Sequence, residues 1–424
     1  MAENVNGNFT QNDVETSSVG EVEFTAQESA GPDEVQLEIL EENGALPFHA
    51  SRITPGLPDK KIAIVCDWLK DWGGAEQVLA DMLELFPQAD VYSSVYFPEK
   101  FTKLLGNKTV RTSFLQKIPV VRSRPKLFPW LRPYAFESFD LSGYDVVISS
   151  SSAESKGIIT KPETVHVCYC HSPTRYYWSH THEYQRMLEF GILNPLARLA
   201  MPMMLKRLRE WDRDAADRVD DFVANSNNTA KRIAKYYRRP ATVITPGIDT
   251  EKFVVETEKE DYYLAVGRII PYKKFDLLVD AFNASGKRLV IATSTENALF
   301  KELFKKSQPN IEWAIGVTNE EKVRLFQKAK AFVFPPEEDF GIVPLEAMAC
   351  GTPVIAYGKG GALETVKEGL SGTFFTEQTP ESLNEAIEAF ETRRWSAYDI
   401  RRYASKFDKK IFQRKLLEHI ESLI

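Results

Sequence analysis

KIAIVCDWLKDWGGAEQVLADMLELF, residues 61–86, decides the architecture. After Lys61, the run IAIVC is apolar without alternation and rich in β-branched residues, as a strand buried on both faces requires. DWLKDWGGAE follows as a glycine-containing loop, and QVLADMLELF then sets apolar groups at helical spacing. Strand, loop and helix make the opening unit of a parallel α/β sheet. The unit recurs. Further strand candidates are DVYSSVY (90–96), YDVVISS (144–150), TVHVCYC (164–170) and DFVANS (221–226). A second series starts at DYYLAVG (261–267) and continues through RLVIAT (288–293), NIEWAI (310–315), AFVFP (331–335) and TPVIAY (352–357). Helical stretches such as KFDLLVDAFNA and NEEKVRLFQKA separate them. The pattern predicts two Rossmann-like α/β domains facing across a cleft, joined near RRPATVITPGID (238–249). The first spans 58–240 and the second 241–405. In such sheets ligands bind beyond the carboxyl ends of the strands, so the loops there hold the chemistry.

A length of 424 residues suits two domains, and 43% hydrophobic with 27% charged residues supplies an ordinary core. The net charge of −7 is uneven. Residues 1–51 hold eleven acidic side chains and no Lys or Arg, so the remainder carries +4. A strongly cationic nucleic-acid binder is thereby excluded. Residues 1–57, rich in Glu, Asn, Ser, Gly and Thr, read as a disordered acidic tail. Four cysteines (Cys66, Cys168, Cys170, Cys350) are too few for a disulfide scaffold and fit no zinc ribbon, which suits a reducing compartment. No apolar run reaches about 18 residues, and the N-terminus lacks both a basic segment and an apolar signal core. A cytoplasmic protein is expected.

The segment richest in chemistry is FPPEEDFGIVPLEAMACGTPVIA (334–356). An acidic loop after the strand leads through Gly341 into a helix that begins near Ile342. Such a helix start offers free N–H groups and a positive dipole end, suited to a diphosphate, and Gly341 allows a close backbone approach. Glu346, two turns from Glu338, is placed to accept hydrogen bonds from ribose hydroxyls. Taken alone, Glu346 also reads as a solvated helix residue and Glu338 as a surface loop charge.

The E-x7-E spacing with FGIVPLEAMACGTPVIA resembles the donor-site signature of the group 1 (family 4) retaining glycosyltransferases. GRIIPYKKFDLLVDAF (267–282) resembles that family's second donor motif, an Arg and a Lys five residues apart. DWGGAE (71–76), CYCHSPTRYYW (168–178), FVANSNNTAKRIAKYY (222–237) and VITPGIDTEKF (243–253) extend the likeness over about residues 60–420. The resemblance implies the GT-B fold, with KKIFQRKLLEHIESLI (409–424) crossing back to complete the N-terminal domain from about residue 406. It implies a donor site in which Arg268 and Lys273 stabilise the departing diphosphate, helped by amides around Gly341, Ile342 and Val343. Gly73 and Gly74 approach the same group, Glu346 holds the ribose, Glu338 orients the donor sugar and His171 lines the sugar pocket on the acceptor side. An ordinary strand-to-helix turn also explains Gly73-Gly74, and a buried structural histidine also explains His171. The implied substrate is a nucleotide diphosphate sugar, with no cofactor and no bound metal. HSPTRYYW and GRIIPYKK lie nearest to bacterial members that transfer mannose from GDP-mannose in O-antigen or exopolysaccharide assembly.

Two spacings mislead. Asp212-Arg213-Asp214 has the D-x-D spacing of metal-dependent transferases, but KRLREWDRDAADRVDD reads as a helix with a charged solvent face. His180, His182 and Glu183 lack a third ligand at suitable spacing. No G-x-G-x-x-G follows a strand and no P-loop is present. On the acceptor side, RTSFLQKIPVVRSRPKLFPWLR (111–132) is basic and aromatic, and FGILNPLARLAMPMMLKRLREW (190–211) is apolar and basic, interrupted by Pro195 and Pro202. They read either as peripheral membrane contacts for a glycan or polyprenyl-linked acceptor, or as core with solvated charges. Nucleic acid is not an expected partner. Alternatives to transfer are a nucleotide-sugar hydrolase or epimerase, or a non-catalytic GT-B-like scaffold.

Overall fold

A computed structural model describes residues 56–106, 108–123, 128–179, 181 and 194–424. Seven strands form one sheet: β1 (Ile62–Cys66), β2 (Asp90–Ser93), β3 (Val110–Thr112), β4 (Val146–Ser151), β5 (Val165–Cys170), β6 (Asp221–Ala224) and β7 (Thr242–Val243). They lie in the order β3-β2-β1-β4-β5-β6-β7. Six more form a second sheet: β8 (Tyr263–Val266), β9 (Leu289–Thr293), β10 (Ile311–Ile315), β11 (Ala331–Phe334), β12 (Val354–Tyr357) and β13 (Gly372–Phe375). Their order is β10-β9-β8-β11-β12-β13, and the named strands pair in parallel throughout. The strand order reverses between β1 and β4 and between β8 and β11, so the loops after β1 and β11 open at the two switch points where such sheets bind ligands. This is the two-domain, doubly wound α/β architecture read from the sequence.

Both faces of the first sheet are covered, which is why its strands read as unbroken apolar runs. Ile62 and Ile64 pack with Leu79 and Met82 on one side, while Ala63 and Val65 meet Val147 and Ile158 on the other. The C-terminal helix Lys409–Glu421 belongs to the first of these layers through Phe412, Leu416 and Ile420, all fully buried. Burial of three such side chains contributes about 2 kcal/mol each as an upper bound. Gln413 Nε2 adds a hydrogen bond to the Asp81 carbonyl at 2.9 Å. The chain therefore crosses twice between the sheets. Ile248 and Asp408 form a bridge between the two crossings, and Gly247 lies so close that a Cβ there would come within 2.4 Å of Lys409 Cα.

Three details differ from the reading of the sequence. The first sheet continues to Val243, beyond residue 240, because the two-residue β7 is too short to show a pattern. Pro202 does not interrupt its segment: one helix runs from Asn194 to Asp217 through it. Asp212 is not on a solvent face. It is fully buried, paired with Lys156 at 2.5 Å, and accepts hydrogen bonds from Thr174 Oγ1 (2.9 Å), Trp178 Nε1 (2.7 Å) and Tyr237 Oη (2.9 Å). This buried carboxylate is satisfied by neighbours as buried polar groups must be. All four cysteines are buried free thiols. Among the described residues, no helix is long and apolar enough to cross a membrane. His180, His182 and Glu183 fall outside the described residues, as do 1–55 and 190–193.

Candidate active site

The contacts that join the two domains near the switch points come from loops at the carboxyl ends of strands. Gly73 and Gly74 open the helix Gly74–Leu85 after β1, and a Cβ on Gly74 would stand 3.2 Å from Ile342 Cδ1. The glycine pair thus faces the start of the helix Ile342–Ala349 that follows β11. Gly341 ends the preceding loop with φ of +94°, a conformation that glycine adopts without strain. No side-chain hydrogen bond from Gly341 caps this helix, which leaves its first N–H groups, those of Ile342 and Val343 included, without partners inside the helix. Glu76, two residues on, lines a cavity of about 40 Å³ with Asp67, Trp68, Ser150 and Ser152. Burial pushes its carboxyl up to about 7, against the field of Arg268. Arg268 itself is exposed in the loop after β8, within electrostatic reach of Glu76 and Asp71.

Lys273 ends a short 3₁₀ turn, Pro271–Lys273, and Lys274 holds φ of +59° before the helix Phe275–Ser285 begins. The side chain of Lys273 reaches Glu338 at 2.5 Å and lies near the rings of Tyr272 (5.7 Å) and Phe334 (5.9 Å). Glu338 is anchored at its backbone, where Gly361 N–H donates to its carbonyl at 2.8 Å. Burial would raise the Glu338 carboxyl, but Lys273 and Arg175 outweigh it and hold it below the usual range. Asp339 behaves alike: burial opposes, and Arg175 and Arg232 prevail. Eight residues beyond Glu338, Glu346 accepts from Lys322 Nζ at 3.1 and 3.0 Å. Lys322 stands on the helix Asn319–Lys328, which begins in a Thr318/Glu321 capping box.

His171 sits at the end of β5, its Nε2 2.8 Å from Ser150 Oγ, and its carbonyl accepts from Asn225 Nδ2 at 3.0 Å. Burial lowers the ring to about 4, with Asp339 acting in the opposite sense, so the imidazole is neutral near pH 7. The structure thus brings Lys273 and Glu338 into contact, with His171 within the field of the neighbouring Asp339. It sets Gly73 and Gly74 against the helix that carries Glu346. Arg268 acts on Asp71 and Glu76 beside the glycine loop.

Several residues here were not singled out in the sequence. Arg175 Nε donates to Asp339 at 2.8 Å, Arg232 also pairs with Asp339, and Ser226 Oγ donates to the Asp339 carbonyl at 2.7 Å. The Glu364 carboxylate accepts the N–H groups of Asn227 (2.8 Å) and Asn228 (2.9 Å) at the start of the helix Asn227–Tyr236. A carboxylate fits a helix N-terminus for electrostatic reasons. Arg175 lies inside the quoted HSPTRYYW and Asp339 inside EEDFG, but their partners are 164 residues apart, a separation that no local spacing encodes.

Comparison with known proteins agrees with this fold. The sequence model of Glycosyltransferase Family 4 matches residues 72–252, and that of Glycosyl transferases group 1 matches 248–407. Together they run through both domains, one model to each, so the chain is similar to glycosyltransferases along both. The D-inositol 3-phosphate glycosyltransferase of Mycobacterium marinum is 27% identical over 201 residues, 42% of this chain and 43% of that protein. The alpha-1,3/1,6-mannosyltransferase ALG2 of Saccharomyces cerevisiae is 28% identical over 236 residues, 43% of this chain and 46% of that protein. The chain thus spans under half the length of these curated relatives. Anabaena HepE, solved with UDP and glucose, shares the fold with a TM-score of 0.62 at 18% identity, covering 86% of this chain and all of that one.

Proposed function

We propose that this protein is a retaining glycosyltransferase that moves a hexose from a nucleotide diphosphate sugar to a hydroxyl of a glycan or lipid-linked acceptor. The observation that carries the reading is the Lys273–Glu338 ion pair, whose glutamate lies in the loop that leads into an uncapped helix start. As the sugar departs, negative charge grows on the diphosphate. Arg268, Lys273 and the N–H groups of Ile342 and Val343 stabilise it, and Gly73 and Gly74 let the backbone approach. Glu346 receives the ribose hydroxyls after Lys322 yields them one oxygen each. Glu338, an anion, orients the donor sugar, and neutral His171 lines the pocket on the acceptor side. In this scheme the side-chain cations serve where other transferases use a metal, so chelation with EDTA leaves the rate unchanged. GDP-mannose is the donor favoured by the resemblance of HSPTRYYW and GRIIPYKK, and the mannosyltransferase among the relatives supports the sugar. The UDP bound by HepE keeps a uridine donor as the first competitor.

The acceptor reading adds a peripheral membrane contact in cell-surface polysaccharide synthesis. It is supported by an exposed set in the first domain, Phe114 (40%), Val120 (59%) and Trp130 (42%), interleaved with Lys117 and Arg122. Calorimetric titration with GDP, UDP and ADP, with and without Arg268→Ala, tests the donor site. Selective binding of one nucleotide, lost in the variant, is the expected result; no binding in a folded sample rejects the reading.

A further inference from the structure

We infer that Arg175 is a positioning residue that fixes the Glu338 carboxylate only while the two domains are closed on each other. The inference rests on the donor-site reading of Glu338 and names the device that controls it. Arg175 follows β5 in the first domain, yet among the described residues its charged and aromatic partners belong to the second. Its guanidinium pairs with Asp339, lies 3.6 Å from Glu338 Oε2, and stands 5.7 Å from the centre of the Tyr272 ring. Lys273, from the second domain, holds the other oxygen, Oε1, at 2.5 Å. Each oxygen of one carboxylate therefore faces a cation from a different domain. With Lys273 alone the carboxylate keeps its charge but is free to rotate about its last bond. With Arg175 present both oxygens are fixed, as a group that must orient a sugar requires.

Arg232 supplies an internal control. It too comes from the first domain and pairs with Asp339, and it approaches Glu337 at 3.9 Å, but among the described residues it forms no ion pair with Glu338. Arg232 and the Glu364 contact to Asn227 and Asn228 tie the domains together without touching the carboxylate. The charged groups facing Glu338 are Lys273, Arg175 and Asp339, and the first two set its ionised form.

The test compares Arg175→Gln, Arg175→Lys and Arg232→Gln in the full chain. It follows nucleoside diphosphate release from the nucleotide sugar of the base that calorimetry selects, GDP-mannose first. Arg175→Gln is expected to lower kcat about 100-fold with KM within about threefold. The acid limb of its kcat profile moves upward, because Glu338 loses one of two cations. Arg175→Lys restores the position of the limb while recovering only part of kcat, since an ammonium lacks the planar fork. Arg232→Gln raises KM and leaves the limb in place. If Arg175→Gln keeps kcat and the limb, or if Arg232→Gln matches it in both, the inference fails. Wild-type chain inactive toward every nucleotide sugar refutes the functional reading itself, whereas an active wild type with an unaltered Arg175→Gln refutes only this one.

Discussion

Glu338 keeps its charge because two cations outweigh the burial that would neutralise it, and a lowered carboxyl has a definite consequence for pH. The folded form releases its proton at lower pH than the unfolded chain. Its contribution to stability is therefore present above the unfolded value and lost as pH falls through the folded one. For activity, Glu338→Ala should cut turnover about 10²–10³-fold while GDP affinity changes less than threefold, measured by single-turnover kinetics and calorimetry. Normal turnover in this variant would falsify the assignment of Glu338. His171 gives a second prediction. Burial holds it near 4, so an NMR titration should show the ring staying mostly neutral from pH 7 down to pH 5. At this scale the E-x7-E pair and the Arg268/Lys273 motif were legible, because each motif lies within one loop and helix. Asp212 was misread for the opposite reason. Charge pattern along a helix reveals a polar stripe but not that Lys156, Thr174, Trp178 and Tyr237 come from elsewhere to meet it.

Among the elements, the helix Gly74–Leu85 and the C-terminal helix form the layer that fixes the glycine loop. Leu416→Ala there should cost about 2–5 kcal/mol in urea denaturation, since Leu416 is wholly buried among Leu79, Met82 and their neighbours. Asp81 lies in the same layer, and burial pushes its carboxyl up to about 7, despite a 3.2 Å hydrogen bond from Gln77 Nε2. Here the sign reverses. The folded state holds a proton that the unfolded chain releases near pH 4, so stability should decline as pH rises from about 4 to about 7. Asp81→Asn should flatten that part of the stability profile, a difference visible in urea titrations at pH 5 and pH 8. Strands and helices were legible from apolar runs and helical spacing. Their ends were less so, as at Pro202, where side-chain chemistry announces a break that the continuous helix Asn194–Asp217 does not contain.

At the scale of the whole molecule, two series of strands announced two domains, but nothing in either series encoded how they meet. That junction is made by single side chains on different elements, Arg175, Arg232, Ser226 and Glu364 among them, whose partners lie more than 100 residues away. The acidic segment carries charge that the folded body does not share. Starting the chain at residue 56 should keep kcat within about twofold, as Gly56 is the first residue with a described backbone bond, to the Leu85 carbonyl at 2.9 Å. The four buried cysteines bear on how closure is observed. Desolvation raises the thiols of Cys66 and Cys170, and that of Cys350 to about 12, so none of these three offers a thiolate at neutral pH. Cys168 is wholly enclosed as well. A maleimide dye pair placed at Glu99→Cys and Lys301→Cys, both exposed and one on each domain, would therefore react at those positions alone. Single-molecule energy transfer can follow the opening and closing of this chain without first stripping it of its own sulfur.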